Sequence, residues 1–143
     1  MILGLDHVAI VQPDLEEAIR RFVDDLGLPF EGTEDVPQQQ TRTAFFPVTD
    51  AEHRARIELV SPIDGQGPLA RHLDRRGPGL HHLCFRTDDI DGDVERLKAR
   101  GYVFTTDAPT PGAHGTRVIF VHPRSTGGVL IELAEHPEDA RRG

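Results

Sequence analysis

The chain repeats itself. The stretch Leu5-Asp6-His7-Val8-Ala9-Ile10 aligns with Leu80-His81-His82-Leu83-Cys84-Phe85 at a shift of 75, and Pro13-Asp14-Leu15 then meets Asp88-Asp89-Ile90. One residue is lost and the shift becomes 74. Gly27 meets Gly101, Ala44-Phe45-Phe46 meets Val118-Ile119-Phe120, and Arg56-Ile57-Glu58-Leu59-Val60 meets Leu130-Ile131-Glu132-Leu133-Ala134. A fixed offset means one supersecondary unit used twice, so one half predicts the other. At 143 residues the two copies fit a single domain: module 1 at about 3–61, a linker at 62–78 and module 2 at about 79–136.

Each half opens on a short apolar or alternating run that predicts a strand, residues 4–11 and 79–87. A helix follows. In the first half Asp14 can cap it, Leu15, Ala18, Ile19, Phe22, Val23 and Leu26 form a stripe at helical spacing, and Gly27 stops it. In the second half Asp88 or Asp89 can cap, Ile90, Val94 and Leu97 form a thinner stripe, and Gly101 ends it. Three strands complete each module, at 28–32, 41–48 and 54–61, then at 102–106, 116–121 and 128–135. The linker contains proline and glycine, with a helical turn or two around Leu69–Leu73. The expected architecture is α+β: paired βαβββ modules forming a metal-binding cup.

Strand parity sorts the side chains, because successive residues point to opposite faces. Val8 and Ile10, with their counterparts Leu83 and Phe85, supply apolar cover for the helices. His7 and His82 then face the other way. His81 aligns with Asp6 and falls on the helix side or its edge, which makes His82 the better ligand. Glu58 and Glu132 hold equivalent places in the last strand of each module, with an aliphatic residue on both sides, and are expected on the same inner face as the histidines. A carboxylate buried there needs a counter-charge, which a divalent cation supplies. Each residue alone has a duller explanation, a satisfied core histidine or the polar face of an edge strand. Two histidines and two glutamates related by one duplication are harder to explain as independent accidents, so His7, Glu58, His82 and Glu132 are the expected ligands of one metal ion.

Imidazole and carboxylate suit zinc, cobalt, nickel, manganese or ferrous iron. Four protein ligands on a six-coordinate ion leave two positions for a chelating substrate, and a Lewis acid there stabilises an enolate. Cys84 is the only cysteine, which excludes an intrachain disulfide and a thiolate-rich zinc site. The formal charge of −8 argues against a nucleic-acid partner. Arg71, Arg75 and Arg76 form a local basic cluster that reads as a solvated helix face. No apolar run approaches the roughly 20 residues of a membrane span, and no signal peptide opens the chain, so a cytoplasmic location is expected.

These residues resemble the vicinal oxygen chelate superfamily, which includes the glyoxalases, and within it the methylmalonyl-CoA epimerases. Leu5-Asp6-His7-Val8-Ala9-Ile10 is shared across the superfamily. Gly112-Ala113-His114-Gly115 and the run from His122-Pro123-Arg124-Ser125-Thr126-Gly127-Gly128 to Glu132-Leu133 are more specific to the epimerases. The resemblance implies a cytoplasmic, homodimeric isomerase acting on an acyl-CoA. It would interconvert (R)- and (S)-methylmalonyl-CoA by removing and returning the C2 proton through a metal-stabilised enolate.

The same resemblance carries the ligand roles onto His7, Glu58, His82 and Glu132, although some members have glutamine where Glu58 stands. It makes Glu132 a candidate proton carrier. Thr43 matches a position where some epimerases place a glutamate base, and threonine is a poor base at neutral pH, which leaves the second proton carrier open. Gly112, Ala113, His114 and Gly115 read equally as backbone donors to substrate or as a glycine turn. His114 reads as a proton carrier or, preferably, as a surface loop residue. Lactoylglutathione lyase, with the same ligand order, is the nearest alternative. A non-catalytic small-molecule-binding protein of the same fold is another, and a ferrous extradiol dioxygenase would leave Glu58 without a role.

Overall fold

The computed structural model describes residues 1–48 and 55–141. Among them run β1 (Ile2–Val11), α1 (Leu15–Arg20), β2 (Gly32–Val36), β3 (Thr41–Pro47), β4 (Arg56–Pro62), α2 (Pro68–Arg76), β5 (Gly79–Thr87), α3 (Ile90–Ala99), β6 (Thr110–Pro111), β7 (Arg117–Val121) and β8 (Ile131–Glu135). The chain divides into two compact units, one of His7–His81 and one of Met1–Asp6 with residues from His82 onward. None of the described helices is long and apolar enough to cross a membrane.

In the His7–His81 unit, β1 pairs parallel with β4, β4 antiparallel with β3, and β3 antiparallel with β2. Asp14 caps α1 by accepting from the Glu17 N–H at 3.1 Å, as its place before the stripe predicts. The stripe packs on one sheet face: Leu15 and Ala18 bury against Ala44, Phe46 and Leu59, joined by Ile10, Ile19, Phe22, Val23 and Ile57. Phe46 and Leu59 are fully buried, each worth about 1.5–3 kcal/mol in removal from water. On the opposite face α2 sets Leu69 and Leu73 against Ala9, Val11 and Val60.

The second unit repeats this plan. β5 pairs parallel with β8, β8 antiparallel with β7, and β7 antiparallel with the short β6. Asp89, rather than Asp88, caps α3 by accepting from the Gly92 N–H at 3.0 Å. Ile90, Val94 and Leu97 pack with Phe85, Ile119 and Leu133 on one face, while Cys84, Val118 and Ala134 cluster separately. Residues Met1–Asp6 are tied into this unit by polar contacts: buried Asp6 receives His136 Nε2 at 2.6 Å, and the Thr87 hydroxyl donates to the Met1 carbonyl at 3.2 Å.

Three expectations need correcting. The strands expected at 28–32 and 102–106 lie later in each module. Residues 28–31 make a single ladder-like bond, Glu31 N–H to Phe45 O at 2.9 Å, before β2 begins at Gly32. Pro29 has no N–H to offer a ladder there. In the second half Phe104 makes an isolated bridge to Val121, flanked by Thr105 N–H to Phe120 O at 2.9 Å and His122 N–H to Val103 O at 2.8 Å, and the regular pairing waits for Thr110–Pro111. The strand expected at 128–135 starts at Ile131, after Gly127 and Gly128 turn through positive φ. That at 54–61 is seen as β4, residue 54 lying outside the described residues.

The shift of 74 over the third strand is also one residue off. Phe45 lies opposite Glu58 and Phe120 opposite Glu132, so β3 and β7 are related by 75. Facing agrees: Ala44 lies under α1, whereas Val118 sits in the other cluster with Cys84, and a one-residue slip exchanges faces. The loss at Gly27 is real and local. Past Arg20 the first helix widens into a π turn over Arg21–Asp25, with Leu26 N–H donating to Arg21 O at 3.1 Å. A π turn spends one extra residue, and the α3 helix contains none.

Candidate active site

On the face of β1 and β4 away from α1, parity brings His7 and Glu58 together. Ala9 stands opposite Glu58 in the parallel ladder, and His7, two residues earlier, reaches it diagonally. His7 Nδ1 lies 3.1 Å from Glu58 Oε2, and both residues are 6% exposed. The second unit builds the same pair. Cys84 stands opposite Glu132, and His82, again two residues earlier, brings Nε2 to within 3.1 Å of Glu132 Oε1. His7, Glu58 and Glu132 are therefore buried and His82 partly so, each pair assembled within its own unit.

The neighbours of the pairs differ. Arg56 Nη2 lies 3.3 Å from Glu58 Oε2, and its guanidinium sits 5.4 Å above the Phe45 ring, which the β3–β4 register places opposite Glu58. The guanidinium fixes one of the Glu58 oxygens. In the second unit Leu130 takes the place of Arg56, and Phe120 stands edge-on to the His82 ring at 5.1 Å with an interplanar angle of 90°. A buried carboxylate on an imidazole is a hard or borderline donor pair, the kind that divalent first-row ions take.

Thr43 is buried on the Glu58 face of β3, opposite Val60. Residues Gly112–Gly115 form a tight turn leading into β7. The Gly112 N–H donates to Thr116 O at 2.9 Å, and His114 and Gly115 adopt left-handed φ of 58° and 69°. Glycine at 112 follows from packing, since a Cβ there would fall 2.7 Å from Thr116 Oγ1 and 2.8 Å from Val118 Cγ1. His114 is exposed. His81, assigned to the helix side or its edge, stands edge-on to His72 of α2 with ring centroids 4.8 Å apart.

Arg56, Phe45 and Phe120 were not singled out in the sequence, although Arg56 was within reach. It sits two residues before Glu58 in a strand, hence on the same face. The aromatic pair was hidden by the one-residue error in the β3–β7 alignment. The Asp6–His136 pair spans 130 residues and has no local signal.

Comparison with known proteins agrees with this geometry. Residues 6–120 match the family model described as Glyoxalase/Bleomycin resistance protein/Dioxygenase superfamily. The chain is 35% identical over 137 residues to an ethylmalonyl-CoA/methylmalonyl-CoA epimerase of Cereibacter sphaeroides, covering 94% of this chain and 99% of that one. Among solved structures it is similar to methylmalonyl-CoA epimerase from Mycobacterium tuberculosis, with TM-score 0.86 and 36% identity over 94% of this chain and 89% of that one. A methylmalonyl-CoA epimerase in complex with methylmalonyl-CoA and NH4+ superposes with TM-score 0.91 at 26% identity, over 99% of this chain and 100% of that one. With a family match across most of its length and relatives aligned nearly end to end, this chain belongs to the glyoxalase/bleomycin resistance protein/dioxygenase superfamily, among its methylmalonyl-CoA epimerases.

Proposed function

We propose that the protein is a metal-dependent epimerase that interconverts (R)- and (S)-methylmalonyl-CoA, with His7, Glu58, His82 and Glu132 as the ligands of one divalent ion, cobalt, manganese, zinc or nickel. One observation carries the reading: each half of a duplicated chain holds a His–Glu pair with a buried carboxylate, in the same register at 3.1 Å. Carboxylates at 6% and 5% exposure are costly without a counter-charge, and two such pairs offer a divalent ion two nitrogens and two oxygens. When bound, such an ion supplies Lewis acidity toward substrate oxygens, worth several kcal/mol as charge develops beside the thioester.

The chain's own groups divide the remaining work. Glu132 is the residue assigned to move the C2 proton on one face of the enolate, because Glu58 also meets Arg56 whereas Leu130 brings no charge to the matching place beside Glu132. The second carrier is left unassigned, as Thr43 has no basic group. Thr43 and the turn of Gly112, Ala113, His114 and Gly115 are assigned to substrate contact. Ile2, Leu3 and Leu5 expose apolar side chains along one end of β1, which supports pairing of two copies into a homodimer. We place the enzyme in the cytoplasm, beside its acyl-CoA substrate.

The test is deuterium incorporation at C2. Metal-loaded protein incubated with methylmalonyl-CoA in D2O is expected to exchange that proton, followed by NMR, while the glutathione–methylglyoxal hemithioacetal stays untouched. Exchange confined to the hemithioacetal would replace the epimerase with the lyase.

A further inference from the structure

Resting on the acyl-CoA reading above, we infer that α2 is the binding element for the nucleotide phosphates of the substrate, held by Arg71, Arg75 and Arg76. Three observations point to it. The first is charge. This chain has 24 Asp and Glu against 16 Lys and Arg, and seven of the thirteen arginines among the described residues pair with a carboxylate: Arg21, Arg42, Arg56, Arg86, Arg96, Arg117 and Arg141. Among the described residues Arg71, Arg75 and Arg76 make no ion pair, and all three are exposed. Three unpaired guanidinium groups within six residues repel one another, an arrangement that a phosphate ligand relieves through bidentate N–H donation.

The second is placement. Leu69 and Leu73 dock α2 onto Ala9, Val11 and Val60, the face of β1 and β4 that also carries His7 and Glu58. Ala9 and Val11 lie two and four residues beyond His7 on β1, so the helix covers that face about 7–13 Å from His7. The pantetheine arm of CoA, which parts the thioester from the phosphates, is long enough to span that interval. The third is the shape of the charged surface. Arg71 and Arg75 are one helical turn apart, as are His72 and Arg76, and together they make one continuous side of α2. Asp74, three residues on from Arg71, borders this side at its Arg71 edge. His72 is half-buried, and burial together with the charge of Arg76 lowers its pKa, so at neutral pH it is an uncharged hydrogen-bonding group beside the arginines.

An overall charge of −8 makes a polyanion such as RNA a poor partner for so small a patch, whereas a compact nucleotide needs only two or three cations.

The test compares methylmalonyl-CoA with methylmalonyl-pantetheine, which lacks the nucleotide, on wild type and on R71Q/R75Q/R76Q. Wild type is expected to prefer the CoA substrate by roughly thirtyfold in kcat/KM, the size of one or two charge-assisted hydrogen bonds, and the variant to lose that preference through KM. Calorimetry with 3′,5′-ADP alone is expected to show binding to wild type that the variant lacks and that inorganic phosphate at equal concentration does not displace. An unchanged preference in a variant that melts like wild type would overturn the inference, as would tighter binding of a single-stranded oligonucleotide than of 3′,5′-ADP. The two readings fail separately. Wild type that binds 3′,5′-ADP through these arginines yet exchanges no C2 proton would keep the phosphate site and remove the epimerase.

Discussion

The two halves of this molecule share one sequence plan, and the sharpest difference between them lies beside their glutamates. In the first half Arg56 grips Glu58 and stacks over Phe45; in the second, Leu130 replaces the arginine and Phe120 turns its edge to His82. The histidines also present different ring nitrogens, Nδ1 from His7 and Nε2 from His82. The repeat supplies two equal His–Glu pairs. The surroundings then differ: Glu58 meets both His7 and Arg56, whereas Glu132 meets His82 with no arginine in the place of Arg56.

That contrast can be broken experimentally. Chelation is expected to abolish C2 exchange outright, with activity returning on addition of cobalt or manganese; activity that survives exhaustive chelation would remove the ion from the mechanism altogether. Next in size is the carboxylate asymmetry. Glu132→Gln should slow exchange by about 10²–10⁴, the ordinary contribution of a positioned general base, and Glu58→Gln should cost distinctly less. Equal losses, measured at matched metal content, would mean the halves share the chemistry evenly.

Arg56→Leu writes the second half's solution into the first. It leaves Glu58 buried without its cation, so the metal-free protein should lose about 1–3 kcal/mol in denaturant unfolding, and the metal-loaded protein less. A loss that is the same with and without metal would argue that Glu58 is not a ligand. Under the helices the halves should behave alike: Leu59→Ala and Leu133→Ala each remove a buried side chain from the helix-facing core and are expected to cost 2–5 kcal/mol.

The smallest effect concerns a duplicated arginine that chose different partners. Arg42 pairs with Asp35 across β2 and β3, whereas Arg117, 75 residues later, pairs with Asp91 in the first turn of α3. The hydrogen bond from Arg117 holds the Asp91 carboxyl below its usual range. A depressed folded-state pKa stabilises above the unfolded value and loses that support as pH falls through the folded one. Asp91→Asn should therefore flatten the acid limb of the stability curve slightly while leaving neutral stability nearly unchanged, as partly exposed pairs do. No flattening in an acid titration would reduce this pair to decoration.

Much of this was legible in the residue order because it depends on local geometry. The caps at Asp14 and Asp89, the stripe from Leu15 to Val23, and the facing of Glu58 and Glu132 follow from helical and strand periods of a few residues. The strands at 28–32 and 102–106 were misplaced because apolar composition does not reveal whether a partner strand offers its N–H and C=O groups. The linker helix was only half visible, since Pro62 to Gly79 combines breakers with the short Leu69–Leu73 stripe.

By itself, then, the sequence determined that two like modules exist and that each puts a histidine and a glutamate on the same face, since parity and repetition are properties of the chain. Which residue stands opposite which was decided only by folding. The π turn absorbs one residue in the first helix, the β3–β7 relation returns to 75, and so Phe45 rather than Phe46 faces Glu58. Pairings such as Arg56 over Phe45, or Asp6 with His136 across 130 residues, have no period to betray them; they arise because packed sheets bring remote positions to within a hydrogen bond.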